Sequence, residues 1–227
     1  MSRVAVVMAG CGAMDGTEIH EATLTLLYLD ELGAEYQCYA PDKPQHHIID
    51  HAKGEELAGE RNCLVEAARI ARGEILPLSE LVASDYDALV FPGGFGAAKN
   101  LCDFAFKGAG CTVDSDVESV ILDFHNSGKA MAFICIAPVI AAKVFGDDGK
   151  KVKLTIGSDA ATAEAVEKMG AQHVIAQVDE AVVDEEYRVV STPAYMLGPT
   201  IKHVGKGIRK AMEETVRLAG QQESLKS

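Results

Sequence analysis

Cys135 stands in the apolar run AFICIAPV, residues 132–139, between a strand-like stretch and a proline. Two readings of it are open. Cysteine is among the residue types most often buried in a core. A thiol at a sharp turn from strand to helix is instead presented to solvent as a nucleophile, with the following backbone N–H free to stabilise an oxyanion. The N–H groups and dipole of a helix N-terminus would also draw its pKa from about 8.5 toward neutrality. Pro138 favours the turn, because proline fits the first turn of a helix and not its interior. The glycines of a G-x-S-x-G elbow are absent, with Phe133 and Ala137 in their places.

A thiolate that makes or breaks bonds needs a proton partner and an anion cradle. Glu18 and Glu21 both fall in the first helical segment. Glu18 is explained by a helix cap. Glu21 lies a turn deeper, toward an apolar stripe, where burial raises a carboxyl pKa and lets it share a proton with a thiolate. A solvated Glu21 is the plain alternative. The adjacent glycines of Pro92-Gly93-Gly94-Phe95-Gly96 allow backbone N–H groups to converge as an oxyanion site requires, and a ligand-free tight turn fits them equally well.

Other motifs carry less. The turn GCGAMDG is spaced G-x-G-x-x-x-G, one residue longer than a dinucleotide fingerprint, and the cofactor reading stays minor even with Asp42 placed to meet a ribose. PGGFG lacks the Lys-Ser or Lys-Thr pair of a P-loop. His46, His47 and His51 in PDKPQHHIIDH are weak zinc candidates, since spacing alone does not separate ligands from loop histidines. The six cysteines form no C-x-x-C pair and are too sparse for a disulfide scaffold. The expectation is no metal and no cofactor.

The elements that must position these residues alternate. Val4–Met8 is a continuous apolar run of the kind a strand buried on both faces needs. Thr17–Leu32 has apolar residues at helical spacing and Gly33 as its stop, and Tyr36–Ala40 is a second strand, which together make a β-α-β unit with a right-handed crossover. Further strands are predicted at Ala88–Phe91, Ala130–Ile134 and Val152–Ile156, with helices at Val117–Ser127, Val139–Phe145 and Thr162–Met169, and a hairpin over Ala181–Ser191. Ile201, Val204, Ile208, Met212 and Val216 give the last helix its apolar face. The pattern predicts a single-domain α/β sandwich over residues 1–220 with a mainly parallel sheet and a small hairpin, followed by a frayed tail at 221–227. In such sheets ligands bind beyond the carboxyl ends of the strands, which directs attention to the residues after Met8, Phe91 and Ile134.

With 227 residues, 48% of them apolar, the chain is large enough for one sizeable core. Its 34 acidic against 21 basic residues give a net charge of −13, which argues against nucleic acid and anionic membranes as partners. No apolar run approaches the roughly 18–20 residues of a membrane span, and the N-terminus reads as a strand, so a cytoplasmic protein is expected.

The strand-end thiol in AFICIAP, the PGGFGAAKNL turn and the glutamate in the first helix resemble the PfpI-like branch of the class I glutamine amidotransferase-like superfamily. Within it, GCGxxDGxEIHEA, APD, RNxLxEAARIARGEI, CTVD, LTIGSD and TPAYM are most similar to the ElbB-type group, described as isoprenoid-biosynthesis glyoxalase-like proteins, from Val4 to about Val216. The resemblance implies a flavodoxin-like sandwich, a homodimer, Cys135 as elbow nucleophile and Glu21 as the acid. It also implies oxyanion donors at the N–H of Gly94 or Phe95 and of Ile136. Many members carry a histidine beside the nucleophile or on the next strand-end loop. Here Ile136 and TIGSDAAT stand there, which argues against a protease or amidase. The function implied is a glyoxalase III-like, glutathione- and cofactor-independent conversion of glyoxal or methylglyoxal to a 2-hydroxy acid through a cysteine hemithioacetal. The alternatives are a redox-responsive or stress-related binding protein with an oxidisable Cys135, and an inert scaffold.

Overall fold

The computed structural model describes residues 1–226, with side chains described through Gln221. The chain runs β1 (Arg3–Val7), α1 (Ile19–Glu31), β2 (Glu35–Ala40), β3 (Ile49–Asp50), β4 (Glu55–Glu56), α2 (Cys63–Ile70), β5 (Ile75–Pro77), β6 (Ala88–Phe91), α3 (Phe95–Lys99), α4 (Phe104–Lys107) and α5 (Ser115–Asn126). It continues as β7 (Ala130–Ile134), α6 (Pro138–Asp147), β8 (Lys153–Leu154), α7 (Ala160–Lys168), β9 (Gln172–His173), β10 (Val182–Asp184), β11 (Val189–Thr192) and α8 (Ile201–Lys226).

Seven strands form the central sheet in the order β10-β11-β7-β6-β1-β2-β5. Every pairing in it is parallel except β10 with β11. β6 and β7 are buried along their whole length and β1 from Val4 onward, which is why they read as unbroken apolar runs. Helices cover both faces: α1 and α8 pack together on one, α5 and α6 on the other. Phe91 and Phe133 are partners in the β6–β7 register, and their rings stack with centroids 5.1 Å apart. The strand order reverses between β1 and β6, and in such sheets this switch point, at the carboxyl ends of the strands, is where ligands bind.

The elements form where local chemistry supports them. Glu18 caps α1 by accepting from the Glu21 N–H, and Gly33 takes a φ of 71° after its end. Of the predicted apolar stripes, Ala22, Leu29, Val204, Ile208 and Met212 are buried, whereas Ile19 and Ile201 are exposed. The predicted strand at Val152–Ile156 shrinks to Lys153–Leu154, which pairs with β9 outside the main sheet. Side chains explain the loss: Thr155 N–H donates to Ser191 Oγ at 2.9 Å and Ile156 N–H to His173 Nε2 at 3.3 Å, so these donors have no need of a strand partner. The hairpin is present, but its second arm, β11, is an integral parallel strand beside β7. Helix α8 extends through Lys226, over most of the segment 221–227 predicted as a tail, and Ser227 lies outside the described residues. Among the described residues no helix is long and apolar enough to cross a membrane.

Two glycine-rich turns lock the sheet's carboxyl edge. Phe95 N–H donates to Ala13 O and Gly96 N–H to Gly16 O, both at 2.8 Å. A Cβ on Gly96 would lie 2.5 Å from Gly16 C and 2.6 Å from its Cα, both rigid backbone. Gly96→Ala is therefore expected to lower stability by about 2–3 kcal/mol. Gly108→Ala is the control: its φ is 54° but nothing lies within 4 Å of the new Cβ, so about 1 kcal/mol is expected. Urea midpoints of the two variants check the difference.

Candidate functional site

Strand β7 ends at Ile134, and the next residue turns the chain sharply. Cys135 has a φ of 63°, in the left-handed region that costs a non-glycine residue about 1–2 kcal/mol. The turn is held from both sides. Cys135 N–H donates to Thr192 O on β11 at 2.9 Å, and Ala137 N–H donates to Ile134 O at 3.0 Å before Pro138 opens α6. This is a strand-to-helix elbow without its usual glycines. The small Ala137, fully buried, fills one of their places.

The N–H groups of Gly94 and Ile136 are both directed at the Cys135 sulfur and pull its pKa down. Burial and the neighbouring Glu21 push it up, and they prevail, so the thiol pKa lies well above the ordinary value. The pKa near neutrality expected from a helix N-terminus is thereby corrected. The elbow presents its thiol in a desolvated pocket beside a carboxyl group, and those two effects exceed the pull of two N–H groups. Phe95 is also corrected as an oxyanion donor, because its N–H is committed to Ala13 O. Its half-exposed ring instead lines the cleft in front of the sulfur.

Glu21 is completely buried in the first turn of α1. Its Oε1 accepts from the Tyr195 N–H at 3.1 Å. Its Oε2 makes no well-formed hydrogen bond and faces the Cys135 thiol and Gly93 N–H. Burial raises the Glu21 pKa to about 8, aided by the charge of Glu18 and opposed by the Tyr195 N–H and the thiol. Glu18 is only partly buried, and besides capping α1 it donates its own N–H to Gly93 O at 2.9 Å, which fastens the PGG turn to the helix. Gly94 has a φ of 97°, and a Cβ there would lie 2.3 Å from Glu18 N, so only glycine fits.

Tyr195 and His20 were not singled out from the sequence. Ala194 adopts a φ of 44°, and this strained turn after β11 aims the Tyr195 N–H at Glu21. The Tyr195 hydroxyl lies 2.8 Å from His20 Nδ1 at the rim of the site. The signal was the strand-end rule itself, which applies to TPAYM once Val189–Thr192 is a parallel strand and not merely a hairpin arm. Glu18, Phe95, Phe104, Cys135, Asp159 and Tyr195 line an open cleft of about 550 Å³. Among the described residues that line it there is no lysine or arginine.

The remaining candidates have local roles. His51 Nε2 accepts from Met14 N–H at 3.1 Å and its Nδ1 meets Ile49 O at 3.0 Å, while His46 and His47 pack against Phe106. Asp42 accepts from the Asn62 side chain at 2.7 Å. The GCGAMDG turn closes on itself and on PGGFG: a Cβ on its Gly16 would lie 2.4 Å from Cys11 N.

No family model matches the chain. It is 47% identical over 229 residues to the human "Glutamine amidotransferase-like class 1 domain-containing protein 3, mitochondrial", a match spanning 96% of this chain and 84% of the relative. It is 48% identical to the rat "ES1 protein homolog, mitochondrial", over 96% and 85% of the two chains. Among solved structures, an isoprenoid biosynthesis protein with an amidotransferase-like domain from Ehrlichia chaffeensis superimposes with a TM-score of 0.90 at 36% identity, covering 96% of this chain and 99% of that one. Glyoxalase III from Candida albicans superimposes with a TM-score of 0.64 at 15% identity, over 96% and 97% of the two chains, and shares the fold. These relatives correct the cytoplasmic expectation, because the curated ones are named as mitochondrial. The charge and apolar pattern of a folded domain carry no address, since targeting signals are separable from the fold.

A carboxyl with a pKa of about 8 in the folded chain and 4.5 in the unfolded one couples folding to pH. The folded state keeps a proton that the unfolded state releases. The stabilisation is therefore complete below the unfolded value and is lost as pH rises toward about 8. Glu21→Gln, which keeps the shape and removes the ionisation, is expected to flatten the stability profile between these limits and to raise stability at pH 8 by a few kcal/mol, on the order of 2–4. Urea titrations of both proteins across this range check it.

Proposed function

Since the chain belongs to the class 1 glutamine amidotransferase-like family that includes the ES1 proteins, we propose that Cys135 and Glu21 isomerise and hydrate a small, uncharged 2-oxoaldehyde, glyoxal or methylglyoxal, to its 2-hydroxy acid without glutathione. The observation that carries this reading is Glu21 Oε2, buried, without a well-formed hydrogen bond, and facing the elbow thiol. A group so placed reaches a carbon atom bonded to that sulfur.

The Cys135 sulfur adds to the aldehyde carbon, C1. A C–S bond forms, the carbonyl π pair becomes an alkoxide between the Gly94 and Ile136 N–H groups, and that oxygen takes the thiol proton to give the hemithioacetal. Glu21, as carboxylate, then removes the hydrogen on C1 as a proton. The C–H pair becomes the C1–C2 double bond of an enediol, and the C2 oxygen is protonated. Tyr195, kept protonated by burial and by nearby Glu18 and Glu21, is the donor at hand, with His20 behind it. Glu21 returns its proton to C2 while the C1 hydroxyl gives its own back to the Tyr195 oxygen, leaving a thioester. Water cleaves that bond and releases the acid and the thiol. C1 is oxidised and C2 reduced within one molecule, so no external oxidant enters and one water is consumed.

Glu21 suits this task because a base is most effective with a pKa near the working pH. The cleft's charges suit an uncharged substrate: Glu18 and Asp159 face it with no lysine or arginine to hold a carboxylate or phosphate. The alternative of an oxidisable Cys135 in a protein of little activity uses the same pair but leaves the convergent N–H groups and the cleft without a task.

Purified protein is expected to form lactate from methylglyoxal without glutathione, with kcat/KM rising with pH toward about 8 as Glu21 ionises. Cys135→Ala abolishes the reaction, Glu21→Gln lowers kcat by about 10²–10⁴-fold, and glyoxylate, an anion, is a poor substrate. Lactate formation unchanged in Cys135→Ala would sink the reading.

A further inference from the structure

A pair of cysteines sits behind the cleft wall. Cys102 bridges Val113 in an antiparallel contact, and Asp103 N–H donates to Thr112 O at 3.2 Å while Thr112 N–H donates to Asp103 Oδ1 at 2.6 Å. This narrow neck closes the segment 103–112, whose helix α4 supplies Phe104 and Ala105 to the cleft wall. Cys111 stands two residues before Val113, the cross-strand partner of Cys102, so the two cysteines are diagonal neighbours on one face of the neck, and both are buried. Cys102 Sγ lies 3.3 Å from Ala97 O, and Cys111 Sγ 3.8 Å from Met169 Sδ. A small pocket of about 110 Å³ reaches Cys111 between Glu118 on α5 and Lys143 and Asp147 on α6. It admits water-sized solutes and excludes proteins and bulky thiols.

We propose that Cys102 and Cys111 are a redox-active dithiol, oxidised by hydrogen peroxide or a similarly small peroxide to a disulfide that ties the neck beneath the cleft wall. The two thiols are differentiated for the task. Cys111 lines the small pocket beside Lys143, whose charge favours its thiolate, and Cys102 does not line it. Cys111 is thus the attacking sulfur and Cys102 the resolving one. The Cys111 thiolate attacks one peroxide oxygen, the O–O bond breaks, and hydroxide leaves and takes up a proton as water. The resulting sulfenic acid is attacked by the Cys102 sulfur, the S–O bond breaks, and a second water leaves with the Cys102 proton. Two thiols lose two electrons and peroxide gains them.

Disulfide formation draws the sulfurs to about 2.05 Å, closer than van der Waals contact, and the shift passes to α4. The modification is independent of the reaction proposed for Cys135.

The test uses the full chain, treated with a few equivalents of hydrogen peroxide, blocked with iodoacetamide in denaturant and mapped without reduction. Trypsin cleaves after Lys99, Lys107 and Lys129, so the two cysteines fall on separate peptides, 100–107 and 108–129, that a disulfide joins. The joined pair is expected in the wild type and equally in Cys135→Ser, and dithiothreitol reverses it. In Cys102→Ser, dimedone labels Cys111, and Lys143→Met slows the joining at least about threefold. Iodoacetamide alkylates Cys135 in the native joined form at a rate changed at least about twofold. Cys102 and Cys111 recovered as alkylated thiols after the same peroxide treatment, or Cys102 joined only to another cysteine, overturns the dithiol. Equal Cys135 alkylation rates overturn its link to the cleft.

Discussion

Gly93 has no Cβ, and a Cβ there would lie 2.4 Å from both Cys135 Cβ and Glu21 Oε2. The space that a side chain would fill is where the thiol and the carboxyl approach each other. Much of the sheet's carboxyl edge serves to keep that space open and bounded. Gly93 O accepts from the Glu18 N–H, so the turn is fixed to the start of α1. Glu18 in turn caps the helix that carries Glu21. Phe95 and Gly96 N–H groups tie the same turn to the glycine loop after β1. The strand ends of β1 and β6 are thus fixed to each other through backbone, which holds a buried side chain in place better than side-chain contacts alone.

This arrangement has a cost that the core must offset. Cys135 and Ala194 are both non-glycine residues at positive φ, and Glu21 is a carboxyl with no access to solvent. Each strained residue costs about 1–3 kcal/mol. The two strained turns are coupled: Cys135 N–H donates to Thr192 O, and two residues beyond Thr192 the Ala194 turn swings the Tyr195 N–H onto Glu21. Relaxing either turn would leave a buried acceptor unpaired, which is why neither relaxes. The parallel strands β1, β6 and β7, with Phe91 stacked on Phe133, supply the rigid base on which this strain is sustained.

The sequence makes part of this visible. Unbroken apolar runs locate β1, β6 and β7, and the strand-end rule leads directly to Cys135, the PGG turn and the first helix. Glu21 separates from Glu18 because one of them has a cap to make and the other does not. The edge elements α2 and β5 are poorly visible: α2 has eight residues and buries Cys63, Glu66 and Ala67 rather than large apolar side chains, and β5 has only three residues, half-buried or exposed. Tyr195 is hidden for a topological reason. A hairpin arm and a parallel strand have the same local pattern, and only the pairing of β11 with β7 turns Pro193–Tyr195 into a strand-end loop. The sign of the Cys135 shift is hidden too, since a helix N-terminus is a local feature whereas burial beside Glu21 is not.

Two thiols of one fold illustrate that last point. Cys135 is held at a helix start by two N–H groups, the feature most associated with a reactive cysteine, yet its nearest titratable neighbour is an acid and its pKa rises. Cys111 has no helix N-terminus, yet a second thiol and Lys143 stand beside it and its pKa falls. The outcomes suit different chemistry. A thiol that stays protonated until a carbonyl carbon is in place is protected from peroxide, and its desolvated proton is available to the oxygen it creates. A thiol that ionises more readily, reached only through a small pocket beside its resolving partner, is open to small oxidants and closed to larger ones. Neighbouring charge moves the two thiols' ionisation in opposite directions within one fold.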